Sequence, residues 1–322
     1  MGMGRAFTRR AWLSGMAAVP LANASPGKPM RGIFIIMSTP FTESGGVDYE
    51  DLEREVDFLT RCGVHGMVWP QLASEYASLS LDERMRGMEL LAKASRGKAP
   101  ALVLGVQGAN VQAALEYLEK AEEMKPDALI AIPPTEARSA DDFRRYYASL
   151  AGSTKRPLFI QTTGGAKGIT PPVDMIKALA KEFPHLGYVK EEAEPVIERM
   201  LGLADGRPVV KSLFSGAAGK GMLYEWRLGM DGTMPGAPFS DVYVRIWDAW
   251  HADDREKARE IFSRLLLMIN LDSVIPGTRQ YIMKRRGVFK STASRRQNIK
   301  LSAKAVEEIE FCFEGLKPYL KV

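Results

Sequence analysis

Cysteine and histidine are scarce in this chain. Two cysteines in 322 residues, Cys62 and Cys312, are too few for a zinc site or a disulfide framework, and their spacing suggests no bridge. The three histidines, His65, His185 and His251, are scattered without a His-x-His or His-Glu-x-x-His grouping, so a histidine-rich metal centre is disfavoured. Internal repeats and low-complexity linkers are missing. The basic clusters Lys284-Arg285-Arg286 and Arg295-Arg296 have no aromatic residues between them to make a stacking platform. They read as solvated helix or tail faces, with no nucleic-acid partner. The first apolar run is followed by Ser38-Thr39-Pro40-Phe41, not by a glycine-rich turn, which disfavours a dinucleotide-binding fold. Gly216-Ala217-Ala218-Gly219-Lys220-Gly221 fails as a phosphate loop, because Phe214 stands at the first glycine position and Gly221 at that of Ser or Thr.

What is present is a globular composition, 46% hydrophobic and 26% charged, which excludes disordered and fibrous classes. The net charge of +5 falls to +2 once residues 1–24, with Arg5, Arg9 and Arg10 and no acid, are set aside. That segment reads as an export signal. Arg9-Arg10 precede Trp12 and Leu13, an apolar stretch follows, and Ala22-Asn23-Ala24 fits a small-residue cleavage site. The paired arginines look like a twin-arginine signal, placing the mature chain in the periplasm or otherwise outside the cytoplasm. The alternative is a cytoplasmic extension. The stretch is shorter than the about 20 residues of a membrane span, and Pro20 interrupts it.

Eight short apolar runs follow at 33–39, 66–70, 101–107, 128–133, 157–162, 187–190, 209–215 and 232–236. Each is bounded by glycine, proline or polar residues, as expected of strands buried on both faces. Between them lie helical patterns at 49–61, 82–94, 111–124, 140–150, 172–182, 195–203 and 217–228. Leu52, Val56 and Leu59 share one face of the first, with Asp48 as its N-cap and Pro172 in the first turn of the fifth. Eight strand–helix units predict an α/β fold of the closed (β/α)₈ TIM-barrel type over residues 31–240. Residues 241–322 form a C-terminal helical extension, with helices at 241–251, 254–271, 278–286 and 302–319.

In that architecture chemistry sits where strands end at their carboxyl side. The sixth run ends Val189-Lys190-Glu191-Glu192. A lysine desolvated at the barrel mouth can supply the neutral amine that attacks a carbonyl, and the resulting iminium stabilises a neighbouring carbanion. Alternatively it caps the strand and pairs with Glu191 or Glu192. The fifth run ends Thr162-Thr163-Gly164-Gly165, hydroxyls and backbone N–H groups suited to an anion such as a carboxylate, or else a flexible turn. A divalent-metal lyase on Glu191, Glu192 and Glu194 is disfavoured because neighbouring strand side chains point oppositely.

Ser38-Thr39-Pro40-Phe41, Gly63-Val64-His65-Gly66, Leu79-Ser80-Leu81-Asp82-Glu83, Gly105-Val106-Gln107-Gly108, Pro133-Pro134 and Val189-Lys190-Glu191 occur in the order and spacing of one family. The chain resembles the dihydrodipicolinate synthase / N-acetylneuraminate lyase family. The resemblance implies a barrel with C-terminal helices, a homo-oligomer (dimer or tetramer), no cofactor, and a Schiff base between Lys190 and a 2-keto acid. It also exposes departures. The family's Gly-Thr-Thr-Gly-Glu loop is here Gln71-Leu72-Ala73-Ser74-Glu75, its catalytic tyrosine falls at Thr135, and its Tyr-Asn pair falls at Gln161-Thr162. The arginine by which its synthases hold a second substrate falls near Ala166. The expectation is therefore a lyase of aldolase or dehydratase type acting on a small keto acid or sugar acid. Lys190 is its nucleophile, Thr135 its proton relay, Ala73, Ser74, Thr162 and Thr163 its carboxylate pocket, and Gly216 the pocket edge. The competing expectation is an exported ligand-binding protein that has lost the chemistry.

Overall fold

A computed structural model describes residues 27–322. The export-type segment at 1–24 lies outside the described residues. Eight parallel strands close into one barrel in sequence order. They are β1 (Gly32–Ile36), β2 (Gly66–Trp69), β3 (Ala101–Gly105), β4 (Ala128–Ala131), β5 (Leu158–Gln161), β6 (Tyr188–Glu191), β7 (Ser212–Ser215) and β8 (Gly232–Thr233). The helices between them are α1 (Tyr49–Cys62), α2 (Leu81–Ala94), α3 (Val111–Met124), α4 (Ala140–Gly152), α5 (Val173–Glu182), α6 (Val196–Ala204) and α7 (Met222–Arg227). After β8 come α8 (Ser240–His251), α9 (Arg255–Val274), α10 (Thr278–Arg285) and α11 (Ala303–Glu314). The expected (β/α)₈ class is the observed one. The expected division after residue 240 falls one residue into α8, the helix that packs on β1 and α1.

Local chemistry explains the helix starts. The side chains of Asp48, Ser80, Asn110, Ser139, Asp254 and Ser302 each accept from a backbone N–H of the first turn, satisfying donors that otherwise have no partner. Ser80 with Glu83, and Ser139 with Asp142, complete capping boxes. Pro172 differs from expectation: it is the cap of α5, in extended conformation, rather than its first residue.

Alternation along the strands divides the apolar residues into two cores. Phe34, Ile36, Val68, Val103, Ile130, Phe159, Phe214 and Met234 fill the barrel interior, while Ile33, Ile35, Met67, Leu102, Leu129 and Ile160 face the helices. Parallel strands covered on both sides must be apolar on both. Gly66 and Gly232 make room for this filling: a Cβ at either would overlap the Phe34 or Phe214 ring.

The expected helix at 217–228 is interrupted. A 3₁₀ turn at Ala217–Gly219 precedes α7, with Ala217 at φ 47° and Ala218 at φ 56°. Left-handed conformation costs a non-glycine residue about 1–2 kcal/mol, and tertiary contacts hold it here. The Ala217 N–H donates to Glu192 (2.9 Å), and the Tyr243 hydroxyl donates to the Ala218 carbonyl (2.7 Å).

The C-terminal helices are pinned by a buried ion pair. Arg286, expected on a solvated face, has 3% of its side chain exposed, and its partner Asp241 has none. Arg286 donates to Asp241 through both terminal nitrogens (3.0 and 2.6 Å), and also to the Pro238 and Val322 carbonyls. Asp241 accepts further from the Lys321 N–H. Removing one partner of such a pair leaves a buried charge unmatched, at a cost of about 3–5 kcal/mol. Arg286→Ala is therefore expected to lower unfolding stability by that amount in urea titration. Replacing both partners with apolar residues should cost less than the single change. A single variant as stable as the parent would remove this pair from the account of the fold.

Candidate active site

The candidate site grows from strand periodicity. Side chains at i and i+2 share a face, and Tyr188 packs against the interior core, so Lys190 also faces the barrel axis. The register pairs Gln161 with Lys190 and Lys190 with Phe214, so these three form one inward rank. Phe159, Tyr188 and Phe214 make an aromatic floor, with ring centroids 5.3–5.6 Å apart. Two residues further along each chain stand Thr163, Glu192 and Gly216.

Lys190 is 4% exposed. Its Nζ donates to Gln161 Oε1 at 3.3 Å and lies 3.0 Å from Glu192 Oε2. The Glu192 carboxylate also accepts from the Thr163 hydroxyl (3.2 Å) and the Ala217 N–H (2.9 Å). A Cβ at Gly216 would overlap Glu192 Oε1, so glycine is what allows the carboxylate to lie there. Burial acts to raise the Glu192 carboxyl. The Lys190 ammonium, the Ala217 N–H and the Thr163 hydroxyl outweigh it and hold the group below the ordinary carboxylate value. Of the two readings open at Lys190, the pairing with Glu192 is present.

Glu191 turns the other way. It is fully buried, accepts from the Thr162 hydroxyl (2.6 Å) and the Ala193 N–H (2.8 Å), and pairs with Arg199 at 3.1 Å. Glu194 accepts from the Val196 N–H. The three glutamates therefore do not converge, and no group of three or more potential metal ligands occurs among the described residues.

The structure brings together some of the expected residues and separates others. Lys190, Thr163 and Gly216 gather around Glu192. Thr162 instead serves Glu191 on the outer side of the strand, and its oxygen accepts from the Glu192 N–H at 3.0 Å. Ser74 is fully buried; its hydroxyl donates to the Met37 carbonyl and accepts from the Gln71 N–H. It braces the loop after β2 against the end of β1, and its hydroxyl is committed to those two partners. Thr135 is exposed in the loop after β4, with no hydrogen bond to Lys190 among the described residues, so its expected relay role lacks a contact. Ala73 is half-buried, packing against the interior core and lining a cavity of about 420 Å³ with Glu75, Asp272, Arg279, Ser294 and Arg296.

Two partners escaped sequence reasoning. The sequence offers Glu191 and Glu192 alike as partners of Lys190, and the i, i+2 rule selects Glu192. Nothing local in the sequence gives Glu75 a partner. It holds φ 56° while its carboxylate accepts from the Ser294 hydroxyl (2.8 Å) and the Arg295 and Arg296 N–H groups (3.0 and 2.9 Å). A segment of the C-terminal region is thereby strapped over the loop after β2.

The chain belongs to the Dihydrodipicolinate synthetase family, whose match spans residues 29–312. It is 25% identical over 251 residues to the 4-hydroxy-tetrahydrodipicolinate synthase of Methanopyrus kandleri, covering 74% of this chain and 80% of that one. To the synthase of the same name from Rhizobium meliloti it is 30% identical over 171 residues, covering 53% of this chain and 58% of that one. The crystal structure of dihydrodipicolinate synthase from Rhodopseudomonas palustris superposes with a TM-score of 0.80 at 21% identity, covering 89% of this chain and 97% of that one. That likeness shows the shared fold. No helix among the described residues is long and apolar enough to cross a membrane.

The strap carries its own pH dependence. Arg295 donates to both Glu83 oxygens (2.5 and 2.7 Å) and to the Gly45 and Ser78 carbonyls. Arg295 and the Ser80 cap pull the Glu83 carboxyl from 4.5 down to about 2, against a smaller opposing effect of burial. A carboxyl with a lowered folded value stabilises fully above its unfolded value and loses that contribution as pH falls through the folded one. The loss should therefore fall between about pH 4.5 and pH 2. Solvent screening limits it to about 1 kcal/mol. Melting temperature against pH should drop less steeply over this range in Arg295→Ala than in the parent; identical slopes would exclude the pair as the cause.

Proposed function

We propose that this chain is a Schiff-base-forming lyase, of aldolase or dehydratase type, acting on a small 2-keto acid or sugar acid. The observation that carries the reading is Lys190, an inward-facing amine 4% exposed above an aromatic floor at the carboxyl end of β6. In closed parallel barrels that end of the strands bears the chemistry. Membership of a family whose relatives include 4-hydroxy-tetrahydrodipicolinate synthases supports it. Attack of the neutral Lys190 amine on the keto carbon gives a carbinolamine, and loss of water gives an iminium. The iminium accepts the electron pair released when a bond at the adjacent carbon breaks. Of the expected carboxylate-pocket residues, Thr163 and Gly216 stand at Glu192 beside Lys190, with the Thr163 hydroxyl donating to Glu192. The replaced loop at Gln71–Glu75 and the exposed Thr135 set this site apart from a dihydrodipicolinate synthase.

A second reading, a ligand-binding protein without turnover, draws on the same geometry. The hydroxyls of Ser74 and Thr162 are committed to internal partners and Lys190 rests as an ion pair. Export through residues 1–24 belongs to the proposal and rests on Arg9-Arg10 and the apolar stretch after them. Homo-oligomerisation is supported by exposed Leu267 and Val274 on α9 and Phe311 on α11.

Borohydride reduction in the presence of pyruvate and other 2-keto acids tests the chemistry. At least one acid should leave a stable mass increment on the peptide containing Lys190, and Lys190→Ala should abolish it while circular dichroism still reports a folded barrel. Saturable binding that survives Lys190→Ala, with no adduct on the parent, would establish the second reading instead.

A further inference from the structure

We infer that Glu192 is the acid–base group of this site: it takes the proton from the Lys190 ammonium and returns it to the departing hydroxyl. The inference rests on the Schiff-base reading above and adds the proton path that reading lacks. Three observations carry it. Glu192 Oε2 lies 3.0 Å from Nζ, within the reach required for direct proton transfer. The carboxylate is held in place by the Ala217 N–H and the Thr163 hydroxyl, while 18% of its side chain stays open to the barrel mouth. The surrounding backbone is shaped to it: Gly216 has no room for a Cβ, and Ala217 and Ala218 adopt left-handed conformations in the turn that aims the Ala217 N–H at Oε1. Strained non-glycine residues of this kind persist where surrounding contacts over-determine them, and they cluster at functional sites.

The other groups near the amine do not fill this role. Gln161, its remaining partner, has no titratable proton. Glu191 is turned to Arg199 and Thr162. Thr135, at the position where the family's tyrosine would fall, is exposed in its loop.

The steps balance. Proton transfer from Nζ to Oε2 yields a neutral amine and a neutral carboxylic acid. The amine nitrogen bonds to the keto carbon, the carbonyl π pair moves to oxygen, and the proton freed from nitrogen neutralises that oxygen, giving the carbinolamine. The carboxylic acid of Glu192 then protonates the hydroxyl. The C–O bond breaks, water leaves, and the nitrogen lone pair forms the iminium while the Glu192 carboxylate is regenerated. The sum is ammonium plus ketone to iminium plus water, with no other reactant. After bond cleavage at the adjacent carbon, the same carboxyl is placed to exchange protons with it.

The test uses the full chain, pyruvate and the same 2-keto acid panel as probes, and the rate of borohydride-trapped adduct on Lys190 by intact mass. Glu192→Gln keeps the shape and an acceptor for the Ala217 N–H but removes the proton acceptor. Trapping should slow by about 10²-fold or more, with the melting profile retained. A counter-ion role predicts the opposite, since a buried ammonium without its anion is disfavoured and more free amine results. Glu192→Ala with added formate supplies a small carboxylate to the vacated space and should regain at least tenfold of the lost rate. Trapping by Glu192→Gln at the parent's rate or faster overturns the inference while leaving the Schiff base standing. Slowing that formate does not relieve assigns Glu192 to packing alone and overturns it too. A parent that forms no adduct with any acid in the panel overturns both this inference and the reading beneath it.

Discussion

Closing eight parallel strands into a barrel forces every second side chain toward an axis with little space and no water. The candidate site is a consequence of that constraint. Phe34, Phe159 and Phe214 fill the interior, so a polar residue on an inward position is affordable only near the open end, where partners can be supplied from the loops. Lys190 occupies that level. The partners it finds, Gln161 and Glu192, are those the register and the two-residue repeat bring beside it. Gly216 follows from the same geometry, because the residue two beyond Phe214 meets the Glu192 carboxylate and must lack a side chain.

An ammonium at 4% exposure needs an anion or must lose its proton. Here the anion is internal. Where the family's loop and tyrosine offer hydroxyls, this chain has Ala73, a fully committed Ser74 and a distant Thr135, and a carboxylate stands against the amine instead. The exchange has an electrostatic sense. A phenol near an amine offers one donor and an acidity far from neutrality, whereas a carboxylate fixed by the Ala217 N–H and Thr163 both stabilises the resting ammonium and accepts its proton. The contact between Lys190 and Glu192 is thus, on the reading proposed here, the first element of the amine's activation.

How much of this was legible in the sequence depended on the range of the interactions involved. The eight strands are legible because burial on both faces makes each a short apolar run, and turn residues mark its ends. Most helices are legible through their apolar periodicity, and α1 also through its cap Asp48, which acts within three residues. The break before α7 is not, because residues 217–228 read as one continuous helix; what overrides this is a hydrogen bond from Ala217 to a side chain 25 positions earlier. Lys190 is legible as a lysine closing an apolar strand. The fate of Ser74 is not, since its hydroxyl bonds to the Met37 carbonyl across the end of the barrel. Arg286 misleads for the same reason: it stands in a basic triplet that reads as solvated, and only the fold brings Asp241 to it.

The C-terminal region shapes a second part of the molecule, the cavity at the loop after β2. Glu75 adopts a left-handed conformation and is held by backbone N–H groups some 220 positions further on, so the strap adds to the hold that Ser74 already gives the loop after β2. The same strap brings Arg296 to the cavity wall, and α10 brings Arg279, whose guanidinium lies against Gly236 just past β8 and pairs with Asp272. Two parts of the chain therefore divide the work. The inward ranks of β5, β6 and β7 set what can happen at a carbonyl beside Lys190. The segments after β8, with the loop after β2, set the polarity of the cavity lined by Ala73, Glu75, Asp272, Arg279 and Arg296. Its charges are committed within the chain: Arg279 pairs with Asp272, Glu75 accepts from backbone N–H groups, and Arg296 donates to the Leu72 carbonyl.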